Sequence, residues 1–227
     1  YGSAVLWPNV GNTPGGRDLI MILGGWTGGV ISTNTCQIID GGADNPAWSY
    51  NSLHDMAIAR MCANAVILPD GDVLAVGGTY NNYFNQGGVV SPVYSPEVFN
   101  KVTGWSSETF HVSPREYHST AGLLPSGKVA VAGGDTRTHD WEVFTPRYLT
   151  QGQTQPAFAG TFGTVGFQTL NWDTVYPIEH APLPVGVSIS RVVLMRPCSV
   201  THHSDMDQRY VELERVLTPK GQYAPLD

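Results

Sequence analysis

The feature that most constrains this chain is that it repeats itself. Double glycines follow apolar runs at Gly24-Gly25, Gly77-Gly78 and Gly133-Gly134, and the first glycines of these pairs stand 53 and 56 residues apart. Val66-Ile-Leu-Pro-Asp-Gly-Asp-Val-Leu-Ala-Val-Gly-Gly78 lies without a gap over Gly122-Leu-Leu-Pro-Ser-Gly-Lys-Val-Ala-Val-Ala-Gly-Gly134. A proline followed shortly by a glycine between two apolar runs predicts a hairpin. The proline presets φ, and the glycine accepts a positive φ without a Cβ penalty. An aromatic follows each of the first two double glycines at the end of a later apolar run: Trp48 after 36–39 and Trp105 after 97–99.

Self-similarity with a period near ~50 residues, a double glycine and a later aromatic is the pattern of kelch-type β-propeller blades. Accidental Gly-Gly punctuation in some other all-β protein explains one such site but not three regular ones joined by an ungapped match. The reading is an all-β chain with about three blades over residues 1–150. Closed propellers have ~4–8 blades, so the expectation is a fragment, or one of two pieces, whose open face is covered by a second chain or an oligomer contact. After Leu149 the pattern changes. Residues 151–158 read as a linker, and 164–170, 186–195 and 210–216 read as strands without the double glycine. They predict a C-terminal β-sandwich (immunoglobulin-like, E-set) domain over 155–227, cut short.

Composition agrees: only 14% of residues are charged, while 26 glycines and 16 prolines imply many turns and few helices. A net charge of −7 argues against a nucleic-acid partner, which needs a basic surface. No apolar run approaches the ~20 residues of a membrane span. Cys36, Cys62 and Cys198 fit no zinc pattern, and three cysteines allow at most one internal disulfide; each reads as a small buried residue. The chain opens on Tyr1 without an initiator Met or a signal-peptide pattern, which predicts that something upstream has been removed. Sparse lysine with abundant Gly, Trp and Tyr fits an extracellular, secreted protein.

Two clusters could carry chemistry. Tyr117-His118 stands just ahead of the apolar run after Ser119. Offset by 56 residues, the preceding repeat has Met61 and Cys62 there, so the scaffold itself does not call for tyrosine and histidine. Phenolate oxygen and imidazole nitrogen both bind metals, although packing and hydrogen bonding account for most such pairs. The second cluster is Thr201-His-His-Ser-Asp-Met-Asp-Gln-Arg209. Its plainer reading is a surface loop in which Asp205 and Asp207 pair with Arg209.

Together these segments resemble the copper radical oxidases, glyoxal oxidase and galactose oxidase, and most closely the glyoxal oxidase branch. The resemblance is carried by Asn34-Thr-Cys with Trp48, by Ala59-Arg-Met61 before Leu-Pro-Asp-Gly-Asp, and by Arg115-Glu-Tyr-His-Ser-Thr-Ala before Leu-Pro-Ser-Gly. It continues through Phe144-Thr-Pro-Arg-Tyr-Leu149 and Thr201–Arg209, in the family's order. It implies a seven-bladed propeller, here about three of seven blades, with copper on its axis and a sandwich loop reaching into that axis. Matched residue by residue, Tyr117 is the axial tyrosine, His118 the histidine beside it and His202 the histidine from the sandwich loop, with His203 a less favoured neighbour. The family's radical-bearing tyrosine, thioether-bonded to a cysteine, has no match in this sequence; none of the three cysteines sits in its motif.

The implied reaction oxidises a small aldehyde or primary alcohol with O2 and yields H2O2. Tyr117 serves as general base toward the substrate hydroxyl, and the isolated chain is expected to be inactive without the missing blades. A non-catalytic propeller fragment, acting as an extracellular binding or structural module, is the alternative. An intracellular kelch adaptor fits less well, because of the histidine loop and the non-kelch C-terminal domain.

Overall fold

A computed structural model describes residues 1–8, 19–26, 28, 32–50, 54–81, 91–108, 113–135, 139–152, 155–159, 169–172, 174–176 and 178–213. Four strands follow one another in the first repeat: β1 (Ser3–Trp7), β2 (Leu19–Leu23), β3 (Cys36–Asp40) and β4 (Ser49–Tyr50). They pair in sequence order as an antiparallel sheet. The second repeat does the same with β5 (Asn64–Ile67), β6 (Val73–Val76), β7 (Glu97–Asn100) and β8 (Gly104–Ser107). In the third, β9 (Ser119–Leu123), β10 (Val129–Gly133) and β11 (Trp141–Phe144) make a three-stranded sheet in the same order.

The matched turns are built alike. Leu68 N donates to Asp72 O at 2.8 Å and Gly71 N to Leu68 O at 2.9 Å; Leu124 N donates to Lys128 O and Gly127 N to Leu124 O at the same two distances. The registers match as well. Ala75 stands opposite Glu97, and Val131, its counterpart 56 residues on, stands opposite Glu142. Gln37 occupies the equivalent place opposite Ile22.

Every residue of β5 and β6 is buried, as expected for strands covered on both faces, whereas β1 and β3 mostly alternate. Phe99 on β7 centres an aromatic cluster, with ring centroids 5.2 Å from Trp7, 5.3 Å from Trp105 and 5.4 Å from His54. Trp105 thus caps the end of its sheet, and its indole N–H donates to His54 O. Trp48, the matching aromatic of the first repeat, stands just ahead of β4 and is half exposed.

Beyond the third sheet come a 3-10 turn (Arg147–Leu149), then β12 (Phe158–Ala159) paired with β13 (Glu179–His180). β14 (Val192–Arg196) pairs with β17 (Arg209–Leu213), and between them β15 (Val200–Thr201) and β16 (Ser204–Asp205) form a small hairpin. The strand expected over 186–195 begins only at Val192. Upstream, Val187 N donates to Pro184 O in a turn with Gly186 at φ 82°, which takes that stretch out of any ladder. Residues 164–168 and 214–216 of the other two expected strands lie outside the described residues.

The chain divides into two compact units, Tyr1–Pro146 with Met195–Tyr210, and Arg147–Leu194 with Val211–Asp227. Among the described residues the protein is all-β, without an α-helix, and no helix is long and apolar enough to cross a membrane. All three cysteines are free. Cys36 and Cys62 are buried as the sequence reading expects, and burial pushes both thiols up to about 12. Cys198 is half-buried, its Sγ against Gly122.

Candidate metal centre

Tyr117 and His118 are positioned by a contact that recurs from sheet to sheet. Buried Arg60 donates from Nη1 to Gly77 O at 3.1 Å, and buried Arg115 donates from Nη1 to Gly133 O at 3.0 Å. Each arginine also pairs with the glutamate of its own sheet, Arg60 with Glu97 at 2.5 Å and Arg115 with Glu142 at 3.0 Å. Each arginine carbonyl accepts from the preceding repeat, Arg60 O from Gly25 N and Arg115 O from Gly78 N. Structurally, then, Arg60 matches Arg115, one residue away from where the ungapped 56-residue offset puts it. The third repeat holds one extra residue between this arginine and the left-handed residue ahead of the strand: Glu116-Tyr117 before His118, against Met61 alone before Cys62.

Just ahead of the strand both repeats use a left-handed residue, Cys62 at φ 57° and His118 at φ 64°. Only the side chains differ in fate. Cys62 is buried, while the side chain of His118 is 55% exposed, with Nδ1 2.5 Å from Asp135 Oδ1.

The second cluster is the β15–β16 hairpin. Thr201 pairs with Ser204, which leaves His202-His203 as a two-residue turn with φ of 50° and 66°. Two consecutive positive φ values define a type I′ turn, where Asn-Gly is the usual solution. A histidine pair costs ~1–2 kcal/mol per left-handed residue, and such strain collects at functional sites. The hairpin is anchored from below. Asp205 Oδ1 accepts from the backbone N–H of Ser199, Asp207 and Gln208. Gln208 bonds both backbone groups of Ile67 at 2.8 and 2.9 Å, and Ser3 Oγ donates to His203 O at 2.5 Å. The pairing of Asp205 and Asp207 with Arg209 does not form: Asp205 caps backbone amides, and Asp207 pairs with Arg196 at 2.9 Å.

These anchors bring the turn to Tyr117. The Tyr117 ring centroid lies 3.9 Å from that of His118 and 5.6 Å from that of His203. The two turn histidines differ sharply. His202 is exposed, with Nδ1 2.8 Å from Thr201 Oγ1. His203 is buried, and neither ring nitrogen has a hydrogen-bond partner. Burial first, then the charges of His118, His202 and the amino terminus, pull His203 down to about 4, against the opposing pull of Asp135. His118, His202 and His203 thus share one electrostatic neighbourhood with Tyr117. Among the described residues no three of His, Cys, Asp and Glu form a metal cage on their own. The donors gathered here, imidazole nitrogens beside a phenol oxygen, nevertheless suit copper(II). A buried imidazole with both nitrogens unsatisfied points to a polar partner in the same place.

Set against known proteins, residues 21–154 match the family description "Glyoxal oxidase N-terminus", and residues 164–224 match "Galactose oxidase-like, Early set domain". The chain belongs to the glyoxal oxidase and galactose oxidase family. It is 28% identical to a galactose oxidase of Gibberella zeae over 80% of its length, covering 26% of that protein. It is 33% identical to the aldehyde oxidase GLOX of Vitis pseudoreticulata over 59% of its length, covering 27% of that protein. A solved fungal alcohol oxidase of the AA5 family, in complex with copper, superposes with a TM-score of 0.73 at 25% identity, over 98% of this chain and 46% of that one. The chain therefore spans about a quarter of the length of these curated relatives.

His203 is expected to make the metal-free chain acid-sensitive. Its folded value near 4 lies below the ordinary 6.5, so between these values the unfolded state binds the extra proton. Its contribution is whole above pH 6.5 and is lost as pH falls toward 4, amounting to ~3 kcal/mol at 1.36 kcal/mol per unit. Urea unfolding of the metal-free chain at neutral pH and near pH 4.5 reads this loss, and His203→Phe should flatten it. An equally steep loss in His203→Phe would assign the sensitivity elsewhere.

Proposed function

We propose that this chain is the part of a copper radical oxidase that carries three of its protein ligands, Tyr117, His118 and His202. The enzyme it belongs to would oxidise an aldehyde or primary alcohol with O2 to give H2O2. The observation that carries this reading is the meeting of Tyr117-His118 with a strained His-His turn more than eighty positions away, within one compact unit. The tandem sheets fit kelch-type propeller blades over 1–150, with a β-sandwich over 155–227 and a secreted parent protein.

Bound by these side chains, copper would supply one of the two one-electron acceptors that a two-electron alcohol oxidation requires, the family's radical cofactor being the other. The chain's own residues bind and orient. His118 and His202 would offer imidazole nitrogens, and Tyr117 its Oη as the base that accepts the substrate's hydroxyl proton. The Tyr–Cys radical cofactor of the family is expected from residues outside this sequence. None of Cys36, Cys62 and Cys198 sits in the family's motif for it.

Copper(II) titration of the full 227-residue chain, followed by electron paramagnetic resonance, tests the reading. One copper per chain with nitrogen hyperfine coupling is expected. His118→Ala and His202→Ala should each weaken binding at least ~100-fold, the upper end of what even outer-shell partners contribute, while Tyr117→Phe keeps most of it. No stoichiometric copper, or unchanged affinity in both histidine variants, would remove the proposal.

A further inference from the structure

We infer that Asp135 is the positioning residue for His118, fixing the ring as the Nδ1–H tautomer so that Nε2 is the nitrogen offered to a metal. The inference rests on the reading of His118 as a ligand. An ionised carboxylate only accepts hydrogen bonds, so the 2.5 Å contact between Asp135 Oδ1 and His118 Nδ1 puts the proton on Nδ1. In the neutral ring the lone pair is then on Nε2. The carboxylate is the more enclosed partner, at 27% exposure against 55%, and its Oδ2 is buried.

Backbone geometry puts the two side chains together. At Gly133, φ 74°, an added Cβ would lie 2.8 Å from His118 O. Gly134, at φ 121°, faces Pro114 O and the Glu116 carboxylate. With no Cβ at either position, the end of β10 lies directly against the turn that carries His118, and the next residue, Asp135, reaches the ring.

Comparison with the preceding repeat shows both partners exchanged together. Cys62 and Thr79 occupy the places of His118 and Asp135, 56 residues earlier. There Thr79 pairs through its backbone with Met61, at 2.9 and 3.0 Å, and Cys62 is buried. The fold closes at this point with neither a histidine nor a carboxylate, so the His118–Asp135 bond is an addition to the repeat rather than a part of it. Carboxylates that orient ligand histidines change metal affinity by about 10–100-fold.

The test uses the full chain with 15N-labelled histidine. In the metal-free wild type at neutral pH, NMR should show His118 as Nδ1–H. Asp135→Ala should lose that preference and bind copper(II) about 10–100-fold more weakly. Asp135→Asn keeps one acceptor oxygen and should fall between them; it also serves if the alanine variant does not fold. An Nε2–H tautomer in the wild type overturns the inference, as does an unchanged tautomer or unchanged copper affinity in Asp135→Ala. If the wild type holds no copper, the proposed function falls, while the tautomer comparison still decides the role of Asp135.

Discussion

Replacing Arg60 with alanine is expected to destabilise the chain by about 3–5 kcal/mol, the range found when one member of a buried ion pair is removed. The side chains of Arg60 and Glu97 are both fully buried and 2.5 Å apart. Burial pushes the guanidinium down and Glu97 pulls it back. Alanine would leave the Glu97 carboxylate inside the protein with only the backbone N–H groups of Ala57 and Ile58 to satisfy it. It would also unpair Gly77 O and Ser95 O, which Arg60 now serves.

The equivalent Arg115 provides the control. Its partners Asp140 and Glu142 are 51% and 20% exposed, so water can take over their solvation and Arg115→Ala should cost less. Chemical denaturation of both variants measures the difference. If Arg60→Ala costs no more than Arg115→Ala, burial is not what makes the first pair matter.

The architecture was open to reading from sequence because the repeat is written in backbone-determining residues. Leu-Pro-x-Gly and Gly-Gly specify turn geometry, so an ungapped match produced hairpins with the same two hydrogen bonds. The Arg60–Arg115 equivalence was hidden by the one extra residue ahead of β9. The ungapped offset lays Arg60 over Glu116, and only the contacts to Gly77 O and Gly133 O restore the match.

In the histidine turn, sequence reasoning singled out His202 from family likeness, yet it is the adjacent His203 that lies buried against Tyr117. Neighbouring residues of a tight turn point differently, and which one goes inward depends on partners distant in the chain. Ser3, 200 positions away, holds His203 O, and Gln208 locks the hairpin to Ile67. Asp135 was passed over for a related reason. Nothing in the local sequence singles it out, and only its contact with His118 does.

Substituting Gly77 with alanine is expected to be about as damaging as losing Arg60, for a reason that runs through the whole repeat. At φ 71°, an added Cβ would lie 2.2 Å from Arg115 O and 2.9 Å from Arg115 Cβ. Left-handed strain alone costs ~1–2 kcal/mol, and overpacking against backbone adds ~1–3 kcal/mol. The bond from Gly78 N to Arg115 O at 2.7 Å would open with it. Gly152 isolates the strain term, since it has nearly the same φ, 70°, with nothing within 4 Å of its added Cβ. Gly152→Ala should therefore cost ~1 kcal/mol, and Gly77→Ala about three times as much.

The consequence reaches the candidate site. Gly24 meets Arg60 O, Arg60 bonds Gly77 O, Gly77 meets Arg115 O, Arg115 bonds Gly133 O, and Gly133 meets His118 O. Displacing Arg115 by even part of the overlap should shift Tyr117 and His118, which follow it two and three residues on. Gly77→Ala should thus weaken copper(II) binding as well as stability, although no atom of Gly77 is a donor to the site. If the two alanine variants unfold at the same denaturant concentration, or Gly77→Ala binds copper as the wild type does, the glycine–arginine chain does not position the metal centre.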